Sequence, residues 1–347
     1  MSLPRNYPFT FTGNVGEYFR IWIVNIALTL VTLGIYSAWA KVRTQRWFYG
    51  HTILDNTAFS YLATPIQILK GRLIAAALLI IYYIASHTAP LIAGIIMLAI
   101  MIGSPWIIVL ALRFAARQSS YRGLRLNFSG TVGEAAVVYL LLPITTVLTA
   151  GLSLPYVAYR QVRFLASNYG YGETQSDYEG ALKPFWGVYL LALALLLIPM
   201  GILGYAVYSA AQLTAMGLPK EIVSAAVAST AIIGVVALYL TIPILSAFVQ
   251  ARKANLFYNH IALGTIRFRS TQRSRDMIWI YISNIVLIFI TIGLFIPFAK
   301  VRLARYRAEH LTLLAEDLGV FTTQAQEAVS ATGSEISDLF DFDIGIA

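Results

Sequence analysis

The chain contains no cysteine. Disulfides, thiolate metal sites and a cysteine nucleophile are therefore excluded. Charge is also scarce: Lys, Arg, Asp and Glu make up 12% of the residues, where a soluble domain carries about a quarter. There are only four histidines, and they form no His-x-x-x-His or His-Glu pair. A metal site would have to be assembled from distant parts of the chain. Gly13-x-x-Gly16 and Gly170-Tyr-Gly172 lack both the spacing of a phosphate loop and a following Lys-Ser/Thr, and no Gly-x-Ser-x-Gly elbow occurs. No catalytic residue, cofactor site or metal ligand emerges, so an enzyme is not expected. Met1 to Thr12 holds no apolar run ending in a small-residue cleavage site, and no secretory leader is expected.

What the chain has in abundance is apolar sequence: 58% of its residues, with a mean hydropathy of +0.70. Residues 21–40, 73–112, 135–159, 184–219, 222–251 and 277–299 carry no Lys, Arg, Asp or Glu. Crossing a bilayer takes about 20 apolar residues. Residues 73–112 and 184–251 each have room for two crossings and the other three runs for one, which gives seven candidate segments. The net charge of +9 does not point to nucleic acid. The basic residues cluster at the ends of apolar segments, where they anchor helices and meet anionic lipid headgroups.

One module recurs along the chain, and it sets the expected architecture. Lys41-Val42-Arg43-x-x-Arg46 returns 259 positions later as Lys300-Val301-Arg302-x-x-Arg305. Phe11-Thr-Gly13-x-Val15-Gly16-Glu17 returns after 117 positions as Phe128-Ser-Gly130-x-Val132-Gly133-Glu134, with Arg160 and Arg163 in the places of Arg43 and Arg46. Each copy opens on a short alternating stretch with the period of a strand. These stretches, Phe9–Thr12, Leu126–Ser129 and Ile266–Arg269, are expected to pair with one another. Asn14 and Thr131 then have the spacing of helix N-caps, which makes Glu17, Glu134 and Asp276 first-turn acids favoured by the helix dipole. An apolar head segment follows, broken near Thr-x-Gly at Thr32, Thr149 and Thr291. The divisions expected are 1–123 and 124–263, each a head plus a helical hairpin, then 264–315, a head alone, and an acidic tail over 316–347.

Two groups of residues are candidates for function. Lys41, Arg43, Arg46, Arg160, Arg163, Lys300, Arg302 and Arg305 leave the heads on shared helix faces. They read as lipid-facing anchors or as contacts for an anionic headgroup or substrate. Asn25 and Asn284 recur at equivalent depth in two heads, where they either join helices by hydrogen bonds or line a polar path. Asp55 lies four residues after His51 and could orient it, although Leu314 fills that place after His310.

Phe9 to Glu17, the exit Gly34-x-Tyr36-x-x-Trp39-x-Lys41-x-Arg43 and the stretch His51-Thr-x-Leu-Asp55 together resemble the YjgN-like family of bacterial inner-membrane proteins. The likeness spans residues 9 to about 315. It implies a multi-pass protein of the bacterial inner membrane with no established activity, and it carries over no functional residues.

The expected fold is an all-α multi-pass membrane protein. It has about seven apolar helical segments in internal pseudo-repeats and short cytoplasmic strands at the repeat starts. The basic loops and both termini are expected on the cytoplasmic side. If all seven segments cross, the basic residues divide 11 against 14; if only the two hairpins cross, Lys220 stands alone opposite 24. The positive-inside rule therefore favours heads that enter and return. Two functions remain open: a transporter or channel for a solute, and a membrane scaffold or regulator that binds anionic lipid without transport or catalysis. Membrane lipids are the expected partners, nucleic acid is not, and a homo-oligomer is possible.

Overall fold

The computed structural model describes residues 4–332. β1 (Arg5–Phe11) leads into α1 (Val15–Val31), and α2 (Ser37–Gly50) runs back. β2 (Thr52–Leu54), β3 (Thr57–Ala58) and β4 (Ser60–Tyr61) precede the long pair α3 (Pro65–Thr88) and α4 (Pro90–Arg117). β5 (Ser119–Tyr121) and β6 (Leu124–Phe128) lead to α5 (Val132–Ala136), a π-helical stretch over Val137–Leu141, α6 (Leu142–Leu148) and the returning α7 (Leu154–Asn168). β7 (Tyr169–Tyr171) and β8 (Thr174–Tyr178) precede the second long pair, α8 (Lys183–Ala215) and α9 (Lys220–Tyr258). The chain then forms β9 (Ile261–Leu263), β10 (Ile266–Ser270), α10 (Ser274–Ile290), α11 (Ile296–Glu309), β11 (Leu311–Ala315) and α12 (Leu318–Thr332).

The expected all-α fold is overturned by the strands. All eleven form one antiparallel sheet in the order β3-β2-β1-β11-β10-β9-β8-β7-β6-β5-β4. Its two edge strands, β3 and β4, are separated by Phe59 alone, whose amide donates to Thr52 O at 3.1 Å. The sheet therefore curls into a near-barrel joined by the chain itself, which leaves little open edge. The three alternating stretches are strands, but they do not pair with one another. β11 separates β1 from β10, and β7, β8 and β9 separate β10 from β6. The missed strands, β2 to β5, β7 to β9 and β11, are two to five residues long and too short to show a period.

Four two-residue turns set the hairpin geometry. Asp55 and Asn56 both have positive φ (47° and 55°), as do Arg122 and Gly123 (46° and 84°). Gly172 and Gly264 take positive φ at the first turn position, 60° and 58°. Such turns match the right-handed twist of the flanking strands.

Seven apolar helical segments are likewise corrected. Among the described residues, four helices, α3, α4, α8 and α9, are long and apolar enough to cross a membrane. Each head is instead a short helical hairpin that leaves the sheet on one strand and returns on its neighbour: β6 and β7 are paired around the second head, and β10 and β11 around the third. The breaks share one construction. Thr32, Thr149 and Thr291 each donate a hydroxyl hydrogen bond to the carbonyl four residues back and accept from the amide four residues on. Leu33, Ala150 and Ile292 are left-handed, and the following glycine amide bonds the carbonyl five residues back at 2.8 Å, a Schellman-type stop. The residues at these tips are apolar and face outward, with Leu33 and Ile292 each 94% exposed.

Inside the near-barrel, Phe9, Leu54, Tyr121, Tyr171, Ile266 and Leu313 form the main core. α12 lies against the same cluster through the buried Leu318 and Ala325. Within the acidic tail expected over 316–347, Leu318–Thr332 is thus a helix with Leu318, Thr322 and Ala325 buried; residues 333–347 lie outside the described residues.

Candidate functional site

The returning helices end in a repeated set of contacts. Arg46 donates to the carbonyl of Ala63 at 3.0 Å, Arg113 to Gly130 at 3.1 Å and Arg305 to Gly13 at 3.2 Å. Asn255 makes the corresponding bond to Gln272 O at 2.8 Å. Each acceptor lies just before the next outgoing helix, so these side chains bind neighbouring helical hairpins together. Five residues further on, His51, His260 and His310 place Nδ1 2.7, 3.1 and 2.9 Å from the carbonyl four residues back, and Asn168 does the same with its amide. Asp55 does not orient His51; it pairs with Arg122 across the β2–β5 region. The nearest acid to His51 is Glu17, at 3.7 Å. Asn14 and Thr131 do cap α1 and α5.

The candidate cations thus take different roles. Arg46 and Arg305 brace the backbone. Arg43 is exposed on α2. Lys41 and Lys300 come from different heads yet line one groove of about 540 Å³, together with Asn25, Thr29, Ser37, Thr44 and Gln45. Burial, and then the charge of Arg72, lower the Lys41 pKa. Asn25 is buried; its amide reaches Ala40 O at 3.5 Å and its Oδ1 has no partner in the protein. Arg160 and Arg163 share a second groove, about 480 Å³, with Glu134 and Asp177. Arg302 and Arg305 share a third, about 560 Å³, with Asp276, Trp279 and Glu309. Asn284 is also buried, and its Oδ1 accepts from Arg302 at 3.3 Å while Arg302 donates to Ser283 at 2.7 Å. Asn284 is therefore held within its own helical hairpin, while Asn25 sits in the first one at the wall of the groove.

The sequence did not reveal the barrel interior. A lumen of about 590 Å³ runs inside the sheet, walled by Phe9, Phe59, Tyr121, Tyr171, Phe268 and Leu313 among others. Tyr121 donates its hydroxyl to Leu54 O at 2.9 Å and Tyr171 to Tyr121 O at 3.0 Å, which satisfies the polar tips. Burial, followed by the neighbouring Tyr121, pushes the Tyr171 pKa up to about 12. Leu318, Phe321 and Thr322 of α12 line the lumen at one end. At the helix-facing end it meets a chamber of about 730 Å³ lined by α2, α9 and α11. The turn signals at Asp55-Asn56, Arg122-Gly123, Gly172 and Gly264, each shortly after a helix exit, were the clue to it. Among the described residues, no three of His, Asp and Glu come together as a metal site.

A family model described as "Bacterial protein of unknown function (DUF898)" matches residues 6–339. The chain belongs to this family. It is similar to the inner membrane protein YjgN of Salmonella typhimurium, 26% identical over 88% of each chain. It is also similar to the YjgN protein of Escherichia coli O157:H7, 23% identical over 94% of this chain and 93% of the relative. No solved structure matches. The YjgN-like resemblance read from the opening, exit and His51 motifs is thereby shown.

Proposed function

We propose that this chain is an inner-membrane protein that binds anionic lipid headgroups at the bases of its helical hairpins and performs neither catalysis nor solute transport. The location follows the names of its relatives, and four helices have the length and polarity to cross. With α3–α4 and α8–α9 spanning and the three heads dipping in and returning, Lys220 alone faces the far side. The near-barrel and the two ends of the chain then lie in the cytoplasm.

The observation that supports lipid binding over transport is the placement of Asn25 and Asn284. A transporter built from repeats would bring such residues together around a route near the bilayer midplane. Here each sits inside a separate short hairpin, beside a basic groove at the hairpin base. Lys41 and Lys300 converge with the open Asn25 Oδ1, an arrangement that offers cations to a phosphate and an acceptor to a headgroup hydroxyl. Each cation near an anionic surface contributes about 1 kcal/mol.

Native mass spectrometry of protein purified with its lipids tests the reading. Wild type should retain anionic phospholipid, and K41Q/R160Q/K300Q/R302Q should retain much less. Equal retention by both would refute lipid binding, and uptake of a solute by reconstituted vesicles would favour transport.

A further inference from the structure

The helix–strand junctions can be superimposed in register, because Arg46, Arg113, Arg163, Asn255 and Arg305 occupy equivalent places. Four of them bond the residue that precedes the next helix. In that register Arg307 stands where the other junctions have Phe48, Ala115, Leu165 and Phe257. Lys253 stands where they have Thr44, Ala111, Gln161 and Leu303, all uncharged. Gln272 stands where they have Gly13, Ala63, Gly130 and Gly180. Three independent departures from the repeated pattern therefore put polar groups where small or uncharged ones otherwise serve.

All three departures line the same chamber. Among the described residues no carboxylate lines it, and Lys253 and Arg307 are its cations. Gln272 is only 6% exposed, and its Oε1 has no hydrogen-bond partner among the described residues. Asn255 holds the Gln272 backbone from both sides, accepting from its amide at 3.1 Å and donating to its carbonyl at 2.8 Å. A buried acceptor left open is costly unless something fills it. Arg307 is anchored by a 2.9 Å bond to Gln250, which itself accepts from Tyr281 at 2.7 Å. The chamber opens into the aromatic lumen past Phe9, Tyr49, Phe59 and Tyr258. A space of several hundred Å³ that is apolar except for a few convergent polar groups has the usual form of a small-ligand site.

We propose that the near-barrel binds a single-chain anionic amphiphile, with its acyl chain in the lumen and its carboxylate or phosphate head at Lys253 and Arg307. Where the head carries a hydroxyl, as the glycerol of a lysophosphatidic acid does, Gln272 Oε1 accepts from it. α12 closes the far end of the lumen, so the chain enters from the membrane-facing mouth.

The test measures binding of three probes to the full-length protein in a non-ionic detergent: a fatty acid, a lysophosphatidic acid and an uncharged monoacylglycerol. Native mass spectrometry gives the stoichiometry and titration the affinity. Wild type should bind one molecule of at least one anionic probe, and more tightly than the monoacylglycerol. Preference between the fatty acid and the lysophosphatidic acid identifies the head. K253Q/R307Q should weaken anionic binding by about a hundred-fold, roughly ten-fold per lost charged contact. R275Q, at an exposed position outside the chamber, should not. L263W adds bulk to the lumen wall without touching the cations and should exclude longer chains while sparing shorter ones. Far-UV circular dichroism and melting confirm that each variant is folded. Equal binding of the uncharged probe, unchanged anionic binding in K253Q/R307Q, or no chain-length effect in L263W would overturn the assignment.

Discussion

Arg305, on the last returning helix, donates a 3.2 Å hydrogen bond to the carbonyl of Gly13, 292 positions earlier in the chain. It joins the third head to the first exactly where Arg46 and Arg113 join their neighbours, so the ring of helical hairpins is fastened across the chain ends as well as along the chain.

Removing that fastening should cost stability even though the guanidinium is largely exposed. R305A is expected to lose about 1 kcal/mol, the figure for an ordinary hydrogen bond, because solvent exposure offsets the gain from its charge. R43A, at an exposed position on α2 of the first head, should stay within about 0.5 kcal/mol of wild type. Chemical denaturation in detergent compares the two; equal effects would mean that the Gly13 contact contributes nothing.

Two nearby glycines should respond in opposite ways to alanine. A Cβ at Gly130 would lie 2.5 Å from a Phe128 ring carbon and 2.9 Å from one of Phe164, whereas one at Gly133 meets nothing within 4 Å. G130A should destabilise by about 1–3 kcal/mol through overpacking. G133A, in the first turn of α5, should be neutral or slightly stabilising. Melting temperatures of the two variants check the contrast.

Labelling of single cysteines in intact cells should reach Asn14 and Thr44 from the same, cytoplasmic side, and Lys220 from the other. The chain has no native cysteine to confuse the result. Opposite-side labelling at Asn14 and Thr44 would show that the first head spans the bilayer.

High pH should open the near-barrel. Tyr171 and Tyr178 are each pushed up to about 12, chiefly by burial. The unfolded chain loses those protons near pH 10, while the folded chain keeps them. Their contribution is therefore complete below about pH 10 and falls away as pH rises towards 12. Tyrosinate absorbance and loss of structure should rise together in that interval, and Y171F should make the loss less steep. Ionisation of all tyrosines near pH 10 with the fold intact would contradict this.

Much of the helical half of the molecule could be read from the sequence. Uncharged runs located the long helices, and the recurring Thr-x-Gly marked the head breaks because three residue types there serve one turn. The sheet was harder to see. Strands such as β3 and β4 are two residues long, and Ser119–Tyr121 and Tyr169–Tyr171 directly continue a helix, so neither alternation nor length separates them from their neighbours. The candidate cations were visible as a pattern, but their division into braces and groove residues was not. Arg46 and Lys41 share a helix, and only the acceptor at Ala63 distinguishes the first. Lys253, Gln272 and Arg307 were not singled out, because what sets them apart is their register relative to the other junctions.

The sheet order has a consequence for biosynthesis. β1 leaves the ribosome before the other ten strands of the sheet, yet one of its two partners, β11, is the last of the eleven to do so. Throughout translation β1 carries an unsatisfied edge, the kind of surface that invites wrong pairing. Both long apolar hairpins emerge in the interval and can be delivered to the membrane before the final strand exists. The order of synthesis thus places insertion ahead of ring closure, and a chain truncated before Leu311 would leave the near-barrel open between β1 and β10.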